Sequence, residues 1–293
     1  MIASLFGCGK HSDADGPGVE LSVTAPAESG TEAEEIASVV FYSETEQPKD
    51  GETPRELSPA ENLTRIAWTL KHESDYSATA YGTVRTKVAF ITYKQEVWTY
   101  KDFKDGVMLL EDITKSSLVN SAWQTCYADG KAFVRGPASD SAGKWNGKDT
   151  EWDENEPQRY TEEEYITGFG LFGTDLSVYL LNGSTVSGFS DVADNGDGTF
   201  TMTVYPDLTE ATSYYKVRMK NMGDLSEYPS FNSIAITYTF DSGWRLLAAH
   251  TEELYSVKFG IISSDDCRAV TDCAYAYGNA DISDYEFFAQ YAK

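Results

Sequence analysis

The sequence predicts an α+β fold in which an antiparallel sheet outweighs the helices. Long runs alternate apolar and polar residues with a period of two, the pattern of a strand with one buried face. Asp-Gly dipeptides divide several of these runs, and they suit the tight turns of hairpins. A few segments recur instead at helical spacing, each opened by a capping signal. Aromatic residues make up 13% of the 293-residue chain, with 19 Tyr, 14 Phe and 6 Trp. Such side chains fit a pleated, half-buried surface.

The first helix is predicted over about 59–72. Ser58-Pro59-Ala60-Glu61 is a capping box with Pro at the first helical position, and Leu63, Ile66, Ala67 and Leu70 follow at helical spacing. Tyr76–Tyr93 then alternates, with Ala78, Ala80, Val84, Val88 and Phe90 on one parity. Further strands are expected near 95–101, 107–113, 120–128 and 131–135, with turns at Asp105-Gly106 and Asp129-Gly130. Residues 137–157 form a polar insertion. Thr161 caps the next helical region, which the glycines 168, 170 and 173 divide into two short helices ending at Asn182-Gly183. Strands at 184–189 and 199–205 flank the turn Asp194–Gly198. A helix over about 209–222 places Leu208, Ala211, Tyr215, Met219 and Met222 on one face, with Gly223 beyond it. Phe231–Phe240 and Trp244 to about Tyr277 return to strand. A short helical stretch, Asp284–Tyr291, ends the chain.

The start of the chain has a different character. Leu5-Phe6-Gly7-Cys8 resembles a bacterial lipobox, in which an apolar residue and a small one precede a cysteine. The resemblance implies that Cys8 carries diacylglycerol, that the new N-terminus is acylated, for instance with palmitate, and that these chains supply the membrane affinity. Residues 1–7 are then the remnant of a signal peptide. Seven residues are fewer than a full export signal carries, so either the start lies elsewhere than Met1 or the chain is a fragment. Lys10–Glu56 holds 12 acids and 3 bases. Such a segment cannot bury enough apolar surface to offset its chain entropy. Residues 8–57 therefore read as a lipobox cysteine and flexible acidic tether, and 58–293 as one folded domain.

Charge and cysteine usage narrow the function classes. The formal net charge of −24 disfavours binding to phosphate backbones, so no nucleic-acid partner is expected. Cys8, Cys126, Cys267 and Cys273 include no C-x-x-C pair, and only three His are present, so no metal site or cofactor is expected. In an exported protein Cys267 and Cys273 are candidates for a disulfide, against free thiols or a longer bridge with Cys126.

The order tether, helix, strands, helices, strands, helix, strands resembles the LolA/LppX-type lipoprotein carriers. Tyr160–Tyr165 leading to Tyr179–Asn182, and Ala211–Lys216 leading to Met222–Tyr228, resemble stretches of clostridial lipoproteins of unassigned role. The resemblance implies a strongly curved antiparallel sheet, an incomplete barrel, with helices packed on its concave side. It also implies an apolar cavity between the two that can hold acyl chains.

The remaining motifs are weaker. Asp191, Asp194, Asn195 and Asp197 suggest a calcium loop, but the twelfth position counted from Asp191 is Met202 and from Asp194 is Tyr205, and neither ligates. A hairpin turn is the reading kept. The acids Glu151, Asp153, Glu154, Glu156, Glu162, Glu163 and Glu164 fit a solvated loop and a helix start better than a glycosidase pair. No G-x-S-x-G motif occurs, and His72 and His250 read as structural. The expectation is a non-enzymatic lipoprotein on the outer face of the bacterial cytoplasmic membrane. It is held there by Cys8 and binds a lipid-like ligand, with Tyr215, Met219 and Met222 as candidate lining. An envelope interaction module without a small-molecule ligand is the alternative, and a hydrolase comes third.

Overall fold

The computed structural model describes residues 45–88, 90–116, 120–138, 150–171, 176–223, 225–260 and 262–292. Cys8 lies outside them. Residues 46–57, which the sequence reading places in the tether, contact the first helix. Glu46 and Glu52 both pair with the buried Arg65 at 2.8 and 3.0 Å, and the Glu46 amide donates to the Thr64 carbonyl. The last dozen residues before Ser58 are therefore docked on the first helix.

That helix is α1 (Pro59–His72). Its capping box is formed as predicted, and Asn62, fully buried, donates to the carbonyls of Pro54, Leu57 and Ser58. Six strands follow: β1 (Asp75–Val88), β2 (Ile91–Lys104), β3 (Val107–Ser116), β4 (Asn120–Ala128), β5 (Lys131–Arg135) and β6 (Gln158–Thr161). The predicted run 76–93 is two strands, because the chain reverses between the paired Val88 and Ile91. No Gly or Asn marks this turn, and Phe90 stands fully exposed at its tip. The Asp105-Gly106 and Asp129-Gly130 turns have positive φ at both residues, as type I′ hairpins require.

One helix, α2 (Glu162–Phe169), occupies the middle region where two were expected; residues 176–181 are not helical. Then come β7 (Val186–Phe189), β8 (Ala193–Asp194), β9 (Thr199–Pro206), α3 (Ser213–Gly223), β10 (Ser230–Asp241), β11 (Leu246–Phe259), β12 (Ile262–Tyr277) and α4 (Tyr285–Ala289).

All twelve strands form one antiparallel sheet, open among the described residues, in the order β6-β5-β4-β3-β2-β1-β12-β11-β10-β9-β7, with β8 also on β9. The first and last long strands meet at its centre, with Tyr76 opposite Tyr277 and Thr86 opposite Cys267. One face carries the even residues of β1, β9 and β10 and the odd residues of β12. Residues of α1, α2 and α3 cluster with this covered face. On the other face Leu109, Cys126, Ala128 and Phe133 pack under Phe288 of α4. Cys267 and Cys273 lie on one strand, six residues and about 20 Å apart, far beyond disulfide reach. Cys126, Cys267 and Cys273 are all free and buried. The disulfide expectation is thereby corrected.

The end of α2 approaches α3 closely at Gly170. Its φ is +83°, and a Cβ there would stand 3.1 Å from the Tyr214 carbonyl oxygen and 3.4 Å from the Arg218 Cβ. Gly170→Ala is expected to destabilise the fold by about 1–3 kcal/mol. Gly168 within α2 has open space around it, so Gly168→Ala should be neutral or stabilising by up to about 1 kcal/mol. Urea unfolding of the two variants checks this; equal midpoints would show that α2 can retreat from α3.

Candidate ligand site on the covered face of the sheet

The centre of the covered face is built from small side chains. β1 contributes Ala78, Ala80 and Gly82, and β12 contributes Thr271 opposite Gly82 and Cys273 opposite Ala80. Ala249 of β11 pairs with Cys273. Ala78, Ala80 and Cys273 form a small cluster that Ala249 and Tyr275 join to the large cluster containing residues of α1 and α3. Small residues thus line the middle of the sheet, while larger ones fill its flanks.

Polar groups surround this strip. Lys101 of β2 is 1% exposed and lies over the rings of Tyr76 and Tyr275 at 5.5 and 5.9 Å. Thr99, opposite Ala80, donates to Asp112 Oδ1 at 2.8 Å, and Arg218 Nη2 of α3 donates to Asp112 Oδ2 at 2.7 Å. Burial alone would lower the affinity of Arg218 for its proton, but the Asp112 carboxylate and neighbouring tyrosines outweigh that and keep it charged. Glu253 of β11 is buried on the same face. Tyr179 and Tyr215 both donate to it, the latter at 3.5 Å. Burial pushes the Glu253 carboxyl up to about 7, against the pull of those two hydrogen bonds.

Several buried polar atoms on this face have no partner among the described residues. They include both amide atoms of Gln95, Oγ1 of Thr271 and the Tyr255 hydroxyl. Each such group is expensive to bury, at about 1–3 kcal/mol, so their concentration on one face marks it as more than packing.

Of the predicted lining residues, Tyr215 and Met219 are both 1% exposed on α3 and pack into the large core cluster. Tyr215 lies edge-on to Tyr179 and stacks on Phe231. Met222 is in the same helix, but its side chain is outside the described set. Gln95, Thr99, Lys101, Arg218, Glu253, Tyr255 and Thr271 escaped the sequence reading. The available signal was polar residues on the buried parity of β2.

The other motifs resolve into local structure. Asp194 pairs with Arg55, and Asp197 accepts from the Thr199 amide and hydroxyl, so 194–198 is a hairpin turn. No group of three or more His, Cys, Asp or Glu able to hold a metal occurs among the described residues. Glu164 caps α2 and Asp153 accepts from the Asn155 amide. His72 stacks on Trp68, and His250 bonds Asp272 at 2.7 Å. No helix among the described residues is long and apolar enough to cross a membrane. A cleft of about 170 Å³ opens on the opposite face beside Asp102, Glu111 and Asp284. Its carboxylates are engaged: Glu111 by Gln124 and Trp152, Asp284 by Gln124 and Arg135, and Asp102 by the Asp281 amide.

No family model and no curated protein matches the chain. Among solved structures it is similar to a DUF1329 family protein from Desulfovibrio piger, at 12% identity and a TM-score of 0.30, over 80% of this chain and 97% of that one. It is also similar to a domain described as an outer membrane lipoprotein-sorting protein from Vibrio parahaemolyticus, at 8% identity and a TM-score of 0.29, over 77% and 96%. Neither likeness is close enough to carry a function to this chain.

Proposed function

We propose that the protein is a membrane-anchored extracytoplasmic lipoprotein that holds an apolar, lipid-like ligand between the sheet and its helices. In this reading the sheet curls as an incomplete barrel around α2 and α3. Diacylated Cys8 tethers the domain to the outer face of the cytoplasmic membrane. The observation that carries the reading is the central strip of Ala78, Ala80, Gly82 and Cys273, a run of small side chains on paired strands in the middle of the covered face. A carrier needs room between sheet and helices, and small side chains at the centre of the sheet favour it where large ones would close it. Tyr215 and Met219 of α3 are the proposed lining on the helix side.

Native mass spectrometry of the protein purified from bacteria, with organic extraction of what accompanies it, tests the proposal. A stoichiometric adduct of lipid mass is expected, together with uptake of the apolar reporter N-phenyl-1-naphthylamine. Ala80→Phe fills the strip and should abolish both. A clean unliganded mass with no reporter uptake would overturn the carrier reading. It would leave a surface interaction module, which the exposed Phe90, Ile91 and Leu254 favour.

A further inference from the structure

We infer that the ligand held over the strip is an uncharged acyl lipid, whose ester carbonyls and hydroxyl hydrogen-bond to Gln95, Thr271 and Tyr255. This rests on the reading that the covered face takes up an apolar molecule. Gln95 and Thr271 are 1% exposed and Tyr255 is 0% exposed, yet both amide atoms of Gln95, Thr271 Oγ1 and Tyr255 Oη lack a partner among the described residues. The three lie on the same face of β2, β12 and β11. Thr271 is within the strip opposite Gly82, Gln95 is opposite Val84, and Tyr255 is opposite Cys267.

Hydrocarbon chains account for the small side chains but would leave these atoms unmatched. A glycerol ester supplies what they lack. Its carbonyls accept from the Gln95 amide and from the two hydroxyls, and its free hydroxyl donates to the Gln95 carbonyl. Charge argues against an ionised headgroup. Arg218 is charge-balanced by Asp112, so its unmatched Nε offers a donor to a carbonyl without a net positive charge, and Lys101 is stacked over two tyrosines. Glu253, two residues from Tyr255 on the same face, would stand near a phosphate or carboxylate stripped of water.

Displacement of N-phenyl-1-naphthylamine from the full chain tests the inference, with 1,2-dioleoylglycerol, oleate and dioleoylphosphatidylglycerol as competitors. Dioleoylglycerol is expected to displace the reporter at about tenfold lower concentration than either charged lipid. Gln95→Leu and Tyr255→Phe should weaken dioleoylglycerol about tenfold, and by more than they weaken the reporter, which has no ester to bond. Gln95→Leu should also raise Tm, because it removes two unmatched buried atoms. Equal or better displacement by oleate or phosphatidylglycerol would overturn the inference while leaving the carrier reading intact. So would unchanged dioleoylglycerol binding in Gln95→Leu. Absence of reporter uptake by the unaltered chain would overturn both.

Discussion

Arg218→Met is expected to destabilise the protein by about 3–5 kcal/mol, because it leaves the Asp112 carboxylate buried without its cation. Both side chains are 8% exposed and meet at 2.7 Å. Among the described residues Asp112 keeps the Thr99 hydroxyl once Arg218 is gone, and one neutral donor does not stabilise a desolvated carboxylate. The pair also links β3 to α3 across the covered face, so its loss loosens the helix from the sheet. Exchanging both partners, Asp112→Asn with Arg218→Met, removes the stranded charge and should recover most of the deficit. Urea unfolding of the single and double variants decides the matter. A single variant within about 1 kcal/mol of wild type would show that water already reaches Asp112.

The second large effect is a fall in stability as pH rises from 5 to 8, traceable to Glu253. Burial raises its folded pKa to about 7, against an ordinary value of 4.5. Between those values the folded chain keeps a proton that the unfolded chain releases. The contribution is therefore complete below about pH 4.5, declines through neutrality and is flat above the folded pKa. Two and a half pKa units correspond to about 3 kcal/mol. Glu253→Gln keeps an acceptor for Tyr179 and Tyr215 but has nothing to titrate. The gap between wild type and this variant should therefore widen with pH over that window and then stop. A gap that is constant from pH 5 to 8 would mean that Glu253 is ionised throughout or well hydrated.

Much of the frame was legible in the residues, and the reason is local. Ser58 and Glu61 cap α1, Thr161 and Glu164 cap α2, and the two Asp-Gly turns close hairpins; each depends on neighbours within four positions. The Phe231–Phe240 alternation gave β10 correctly, because every second residue meets the core. The site was opaque for the opposite reason. On β2 the buried parity is Gln95, Val97, Thr99 and Lys101, while Trp98 and Tyr100 face outward, so a hydrophobic pattern points the wrong way. Those polar residues are inside because β3, β11, β12 and α3 bring Asp112, Glu253, Thr271 and Arg218 to the same face from 11 to 176 positions away. The turn between Val88 and Ile91 was missed because alternation runs straight through it. Trp244, not Gly243, takes the positive φ before β11, held by its indole N–H donating to the buried Asn62 at 2.7 Å. Tertiary packing imposes that conformation, and no turn propensity announces it.

The central pairing of β1 with β12 has a consequence for how the molecule is made. β2 to β6 run outward from β1 in chain order, as do β11 to β9 from β12, so each half is a meander of neighbours in sequence. The seam between them joins residues about 200 positions apart, such as Tyr76 and Tyr277. Loop closure over that distance must be achieved before any seam hydrogen bond stabilises it. Each ribbon can therefore zip early during synthesis, while the central seam waits for the last strand to leave the ribosome. Until then β1 is an unpaired edge with alternating apolar residues, the state most open to wrong partners. Refolding should accordingly show a fast phase that forms the hairpins and a slow phase that brings Tyr76 beside Tyr277.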